Sequence, residues 1–124
     1  MQAPASLNLT MYQGASWDYT FTWTTTAGTV TTPVNLTGYS ARMQVRETQA
    51  STATILSLTS GSGITLGGTA GTILLEASAT TTAGVAASSS PQTVYVWDIE
   101  LVSGAGYVTR LLEGNFFVDP EVTR

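Results

Sequence analysis

Cysteine, histidine and lysine are all missing from this 124-residue chain. Without cysteine there is no disulfide and no thiolate metal site, which argues against a small cross-linked secreted scaffold but leaves the compartment open. Without His, Cys or Lys the usual general bases and activated nucleophiles are gone, and only carboxylates remain for catalysis. Positive charge is scarce. Arg42, Arg46, Arg110 and Arg124 are the only cations, and the net charge is −4. Phosphate neutralisation needs clustered cations, so neither nucleic acid nor an anionic membrane surface is an expected partner. No run approaches the ~20 apolar residues of a spanning helix, and Met1-Gln2-Ala3-Pro4 lacks the charged start of a signal peptide. Gly67, Gly68 and Gly71 lack the Lys-Ser/Thr pair and following helix of a phosphate loop, and the acids are too scattered for a calcium loop. No cofactor, metal or small-molecule substrate is expected.

What the chain does contain is threonine, 23 residues, and serine, 12. Threonine is β-branched and fits a half-exposed pleated face. A Thr-rich, Lys-free surface has little charge repulsion or side-chain entropy to oppose packing against copies of itself; a neutral soluble domain would look the same. Period-two alternation dominates. Segment 6–12 puts Leu7, Leu9 and Met11 on one face. Segment 16–24 does the same with Trp17, Tyr19, Phe21 and Trp23. Ala27-Gly28 reads as a hairpin or loop tip, and Pro33 limits pairing over 30–36. Segments 39–47, 54–59, 64–66, 72–77, 93–102 and 107–118 read as further strands, with Gly114 as a candidate bulge and Ser103-Gly104-Ala105-Gly106 as a hairpin loop. One helical turn fits Thr80–Ala83. Seven or eight short strands predict an all-β, Ig-like antiparallel β-sandwich; a closed barrel is the alternative. Residues 1–124 form a single domain, with 119–124 as a short C-terminal tail.

Few constellations carry chemistry. Asp98 and Glu100 share a strand face about 7 Å apart, a separation paired carboxylates use in glycoside hydrolysis. The plainer reading is a solvated or cross-strand-paired face. In an Ig-like sandwich the 39–47 strand neighbours 93–102, so Arg42 and Arg46 can face Asp98 and Glu100. Those four charges are equally candidates for an interface with a partner chain, together with Asp119, Glu121 and Arg124 of the tail. The aromatic face from Trp17 to Trp23 reads as core, with Trp17, near a strand end, the exception that could stack on a carbohydrate. Asn8-Leu9-Thr10 and Asn35-Leu36-Thr37 match the N-glycosylation sequon, which matters only in a eukaryotic secretory route.

Longer stretches carry a resemblance. Leu9-Thr10-Met11-Tyr12-Gln13-Gly14-Ala15-Ser16-Trp17, the run Val34-Asn35-Leu36-Thr37-Gly38-Tyr39-Ser40-Ala41-Arg42-Met43-Gln44-Val45-Arg46, and the end from Tyr95 to Leu101, from Val108 to Gly114 and from Val118 to Arg124 resemble a family of small tailed-bacteriophage virion proteins. These in turn resemble the N-terminal β-sandwich of phage upper baseplate proteins. The resemblance spans nearly the whole chain, with 48–92 loosely matched. Ala15 stands where the family often has Asp or Glu. The resemblance implies a structural part of the tail, baseplate or neck that anchors fibres or bridges neighbours. Its implied partners are other virion proteins and copies of itself, its location the virion assembled in the bacterial host cytoplasm, and it names no catalytic residue. A capsid decoration protein, a carbohydrate-binding module and, last, a glycan-cleaving enzyme are the alternatives.

Overall fold

A computed structural model describes residues 4–87 and 93–123. In chain order the strands are β1 (Ala5–Ser6), β2 (Leu9–Tyr12), β3 (Trp17–Thr22), β4 (Thr24–Ala27), β5 (Val30–Pro33), β6 (Ser40–Arg46), β7 (Leu56–Ser60), β8 (Gly63–Leu66), β9 (Thr72–Ala77), β10 (Thr93–Val102) and β11 (Val108–Asp119); the one α-helix among the described residues, α1 (Ala79–Ala83), sits between β9 and β10. Nine strands form one curled sheet in the order β1-β11-β10-β6-β7-β8-β9-β3, with β2 also on β11, while β4 and β5 pair only with each other. The curl occurs where Thr59 and Ser60 pair with Gly63 and Ile64. There the chain passes from one half of the sheet to the other, and the two halves close over a shared core.

The core follows from the alternation. Ala41, Met43 and Val45 of β6, Tyr95, Trp97, Ile99 and Leu101 of β10, and Phe116 and Val118 of β11 face Trp17, Ile64, Ile73 and Leu75 from the opposing half. At about 25 cal/mol per Å² of apolar surface, this burial is the main force against chain entropy. The Tyr95 hydroxyl donates to the Ala86 carbonyl, the corner that marks the start of the sixth strand in Ig-like sandwiches. The strand order makes the same assignment: β11, β10, β6 and β7 form one sheet of an Ig-like fold and β3, β9 and β8 the other. One departure is that the first strands both join β11 and leave β3 uncovered on its outer side among the described residues.

Several expectations need correction. The described residues form eleven strands, because the 24–33 connection is itself a hairpin and segment 6–12 divides in two. Pro33 occupies the last rung, opposite Thr24, where a missing N–H costs least. Trp17 is not the exposed exception but core, 8% exposed, its ring edge-on to Phe116 at 5.6 Å; Tyr19, Phe21 and Trp23 are the half-buried ones. Asp119 is the end of β11, paired with Tyr12, rather than tail. Gly114 is not a bulge, since it pairs in register with Trp97, and the register shift falls at Leu111. Gly114 is needed for close approach: a Cβ there would run into the Leu7 carbonyl oxygen and lie 2.8 Å from its carbon. The same Leu7 carbonyl accepts the Trp97 indole N–H at 2.9 Å. The crossing of Leu7–Asn8 over β11 is also what splits segment 6–12 into two strands.

Candidate functional site

The outer face of β6, β10 and β11 gathers most of the charge. Alternation turns Arg42, Gln44 and Arg46 outward on β6, and Val96, Asp98 and Glu100 on β10. The antiparallel register sets Glu100 opposite Arg42 and Asp98 opposite Gln44. Arg42 Nε donates to Glu100 Oε1 at 2.7 Å, a short charge-assisted bond across the ladder. Arg46 is different. Its guanidinium donates to the Ser51 carbonyl at 2.9 Å and to Gln44 Oε1 at 2.8 Å, and no carboxylate pairs with it among the described residues.

The third strand adds two charges that local reading did not single out. Glu113 lies directly opposite Asp98, a like-charge pair that is unfavourable by itself. Arg110 resolves it, with Nε 3.6 Å from Asp98 Oδ2 and Nη1 3.4 Å from Glu113 Oε1. Three residues apart on a strand, Arg110 and Glu113 ought to point to opposite faces. The extra residue at Leu111 shifts the parity and puts both outward. Burial raises the Asp98 carboxyl above its ordinary value; Arg110 opposes the rise, Glu100 and Glu113 add to it, and Arg46 opposes it. Beside this cluster runs a groove of about 520 Å³ floored by β10, with Arg46 and Gln49 on one side and Ser6, Arg110, Glu113 and Asn115 on the other.

Three arginines and three carboxylates therefore balance on one face. The structure brings together Arg42, Arg46, Asp98 and Glu100 of the expected interface but not Asp119 and Glu121. Asp119 lies six residues down β11 from Glu113, about 20 Å by strand rise. Glu121 is folded back over Gly14, whose φ of +84° suits glycine. Arg124 lies outside the described residues. Nothing among the described His, Cys, Asp or Glu side chains forms a metal-binding group.

Hydrogen bonds and packing tie down two of the stretches singled out in the sequence. Gln13 takes the Asp119 carbonyl with its backbone N–H, the Glu121 N–H with Oε1 and the Val85 carbonyl with Nε2. Thr82, wholly buried, accepts from Gly14 N at 3.0 Å and donates to the Ala15 carbonyl at 2.8 Å. Asn35 Oδ1 caps Thr37 N in a turn, and Tyr39 packs edge-on to Trp23. The Tyr12–Trp17 and Asn35–Tyr39 stretches thus hold loops in place.

No protein-family model matches the chain, and no curated protein matches it. Among solved structures it is similar to murine CRIg, at 10% identity and a TM-score of 0.35, over 97% of this chain and 95% of that one.

Proposed function

We propose that the chain is a non-enzymatic structural component of a tailed-bacteriophage virion, an adaptor in the tail, baseplate or neck that bridges neighbouring proteins or anchors fibres. The observation that carries this reading is the charge-balanced outer face of β6, β10 and β11. Its carboxylates are engaged by arginines, Glu100 by Arg42 and Asp98 with Glu113 by Arg110, on an open strand surface. Such a face suits a contact with another protein, where complementary charge sets register and partner choice. A bond-cleaving acid and base would instead stand free on either side of a substrate. The near end-to-end resemblance to small virion proteins supports the same role. A carbohydrate platform loses its best candidate, because Trp17 is core.

Quantitative mass spectrometry of purified particles tests the proposal. A few to a few dozen copies per particle is the expected result. Hundreds of copies would favour capsid decoration and reject the adaptor, and absence from the particle rejects both. Arg42→Glu, which sets two acids opposite each other, is expected to lower incorporation into particles while leaving the melting temperature nearly unchanged, since the pair is exposed. A variant that assembles normally would remove this face from the interface.

A further inference from the structure

One side of the sandwich is left unprotected. Among the described residues β3 has a strand, β9, on one side only, and β4 has only β5. Trp23, between β3 and β4, donates its N–H to Gly71 and accepts at its carbonyl from Val34. Both groups therefore point toward the β9 and β5 side, so β4 continues β3 and β5 continues the line of β9. The result is one extended edge from Trp17 to Ala27, about 35 Å long. Because backbone groups alternate along a strand, the N–H and C=O of Thr20, Thr22 and Thr24 face the open side.

Natural edges are blunted by shortness, by charge, by proline or by bulges. The opposite edge of the sheet follows that rule. β1 and β2 have two and four residues, are split at Leu7–Asn8, and carry the Trp17 indole bonded to the Thr10 carbonyl. The β3–β4 edge does not. No charged residue occurs between Asp18 and Arg42, Thr20, Thr22 and all of β4 and β5 are exposed, and the β4–β5 hairpin stands apart from the sheet. A lone two-stranded hairpin is marginally stable in water, so this arm gains from a further strand beside it.

We propose that the β3–β4 edge is a dimerisation edge, at which two copies of this chain pair antiparallel to form one sheet across both molecules. A second copy fits because of where the single charge lies. Asp18 is at one end of the edge and the uncharged arm at the other, so an antiparallel pair places each Asp18 against the partner's threonines. Thr–Thr pairs then line the exposed side of the seam, a favourable cross-strand combination. The contact has twofold symmetry, as a closed dimer of identical patches requires. It concerns the isolated chain and holds or fails independently of the virion reading.

The test is sedimentation velocity with native mass spectrometry on the full chain over a range of concentrations. A species of twice 13.0 kDa is expected as concentration rises. In hydrogen exchange, the Thr20, Thr22 and Thr24 amides should gain protection with the same concentration dependence. Thr22→Pro removes an outward N–H where an edge tolerates proline and should return the protein to 13.0 kDa with its circular dichroism unchanged. A wild-type monomer at every concentration overturns the proposal, as does a dimer whose three amides exchange freely. The exchange measurement decides the matter on the wild-type chain even if the proline variant does not fold.

Discussion

Gly114→Ala is a small change with a large expected effect, because the obstacle is backbone. The added methyl would collide with the Leu7 carbonyl and come 3.1 Å from Asn8 Oδ1, so the Leu7–Asn8 segment has to lift off β11. Three hydrogen bonds depend on that segment: Trp97 Nε1 to Leu7 O at 2.9 Å, Leu7 N to Glu113 O at 2.8 Å, and Asn115 N to Asn8 Oδ1 at 3.1 Å. At about 1 kcal/mol net for each, their loss costs about 3 kcal/mol. Alanine lowers the entropy of the unfolded chain and returns about 0.4–1 kcal/mol; Gly114 has no positive φ to forbid it. The balance is a destabilisation of about 2–3 kcal/mol, or about 10 °C in melting temperature for a domain of this size. Urea unfolding followed by tryptophan fluorescence and circular dichroism measures it. Trp97→Phe deletes the donor and also leaves a cavity in the core, so it should cost about 2–3 kcal/mol alone and about 1 kcal/mol less in the Gly114→Ala background, where the bond is already lost. A Gly114→Ala protein as stable as wild type, or strict additivity of the two changes, refutes the reasoning.

Other perturbations probe the caps and the charged face. Thr82→Val keeps the shape but strands the Gly14 N–H in the interior, so a loss of about 2 kcal/mol is expected in chemical unfolding. Tyr95→Phe deletes the bond to Ala86 and should cost about 1 kcal/mol. The Tyr95 hydroxyl is raised above 10.0, by burial first and then by Glu47. Its contribution is therefore complete below pH 10 and declines as pH rises through the folded value, so the wild type should lose more stability than the variant in alkaline melts. Asp98 is likewise raised above 3.8, chiefly by burial. The folded state holds its proton more tightly, so this group's favourable contribution is full below pH 3.8 and is lost as pH rises through the folded value. Asp98→Asn should flatten that limb and change stability at neutral pH by less than about 0.5 kcal/mol, as the ion pair with Arg110 is half exposed.

Much of this architecture was legible in the order of residues because alternation is local. Whether Val45 or Gln44 points inward depends only on the pleat, so strands β6, β9 and β10 and the alternation along them could be read directly, while an Ig-like strand order was needed to set Arg42 or Arg46 against Asp98 or Glu100. Hairpin tips were equally local, since Gly28 and the 103–106 loop carry their own turn chemistry. The absence of His, Lys and Cys limited catalysis before any fold was known.

What only tertiary structure decided involves contacts between segments far apart in the chain. The parity change at Leu111 brought Arg110 and Glu113 to the face of Asp98, against what spacing alone implies. The requirement at Gly114 comes from a carbonyl more than a hundred residues earlier. Trp17 became core because Phe116 and the Thr10 carbonyl receive it. The unpaired β3–β4 edge exists because the first strands chose β11 as their partner. Hydrogen-bond ladders are interchangeable along their length, so residue type does not say which strand lies beside which. That choice is made by the packing of the whole core.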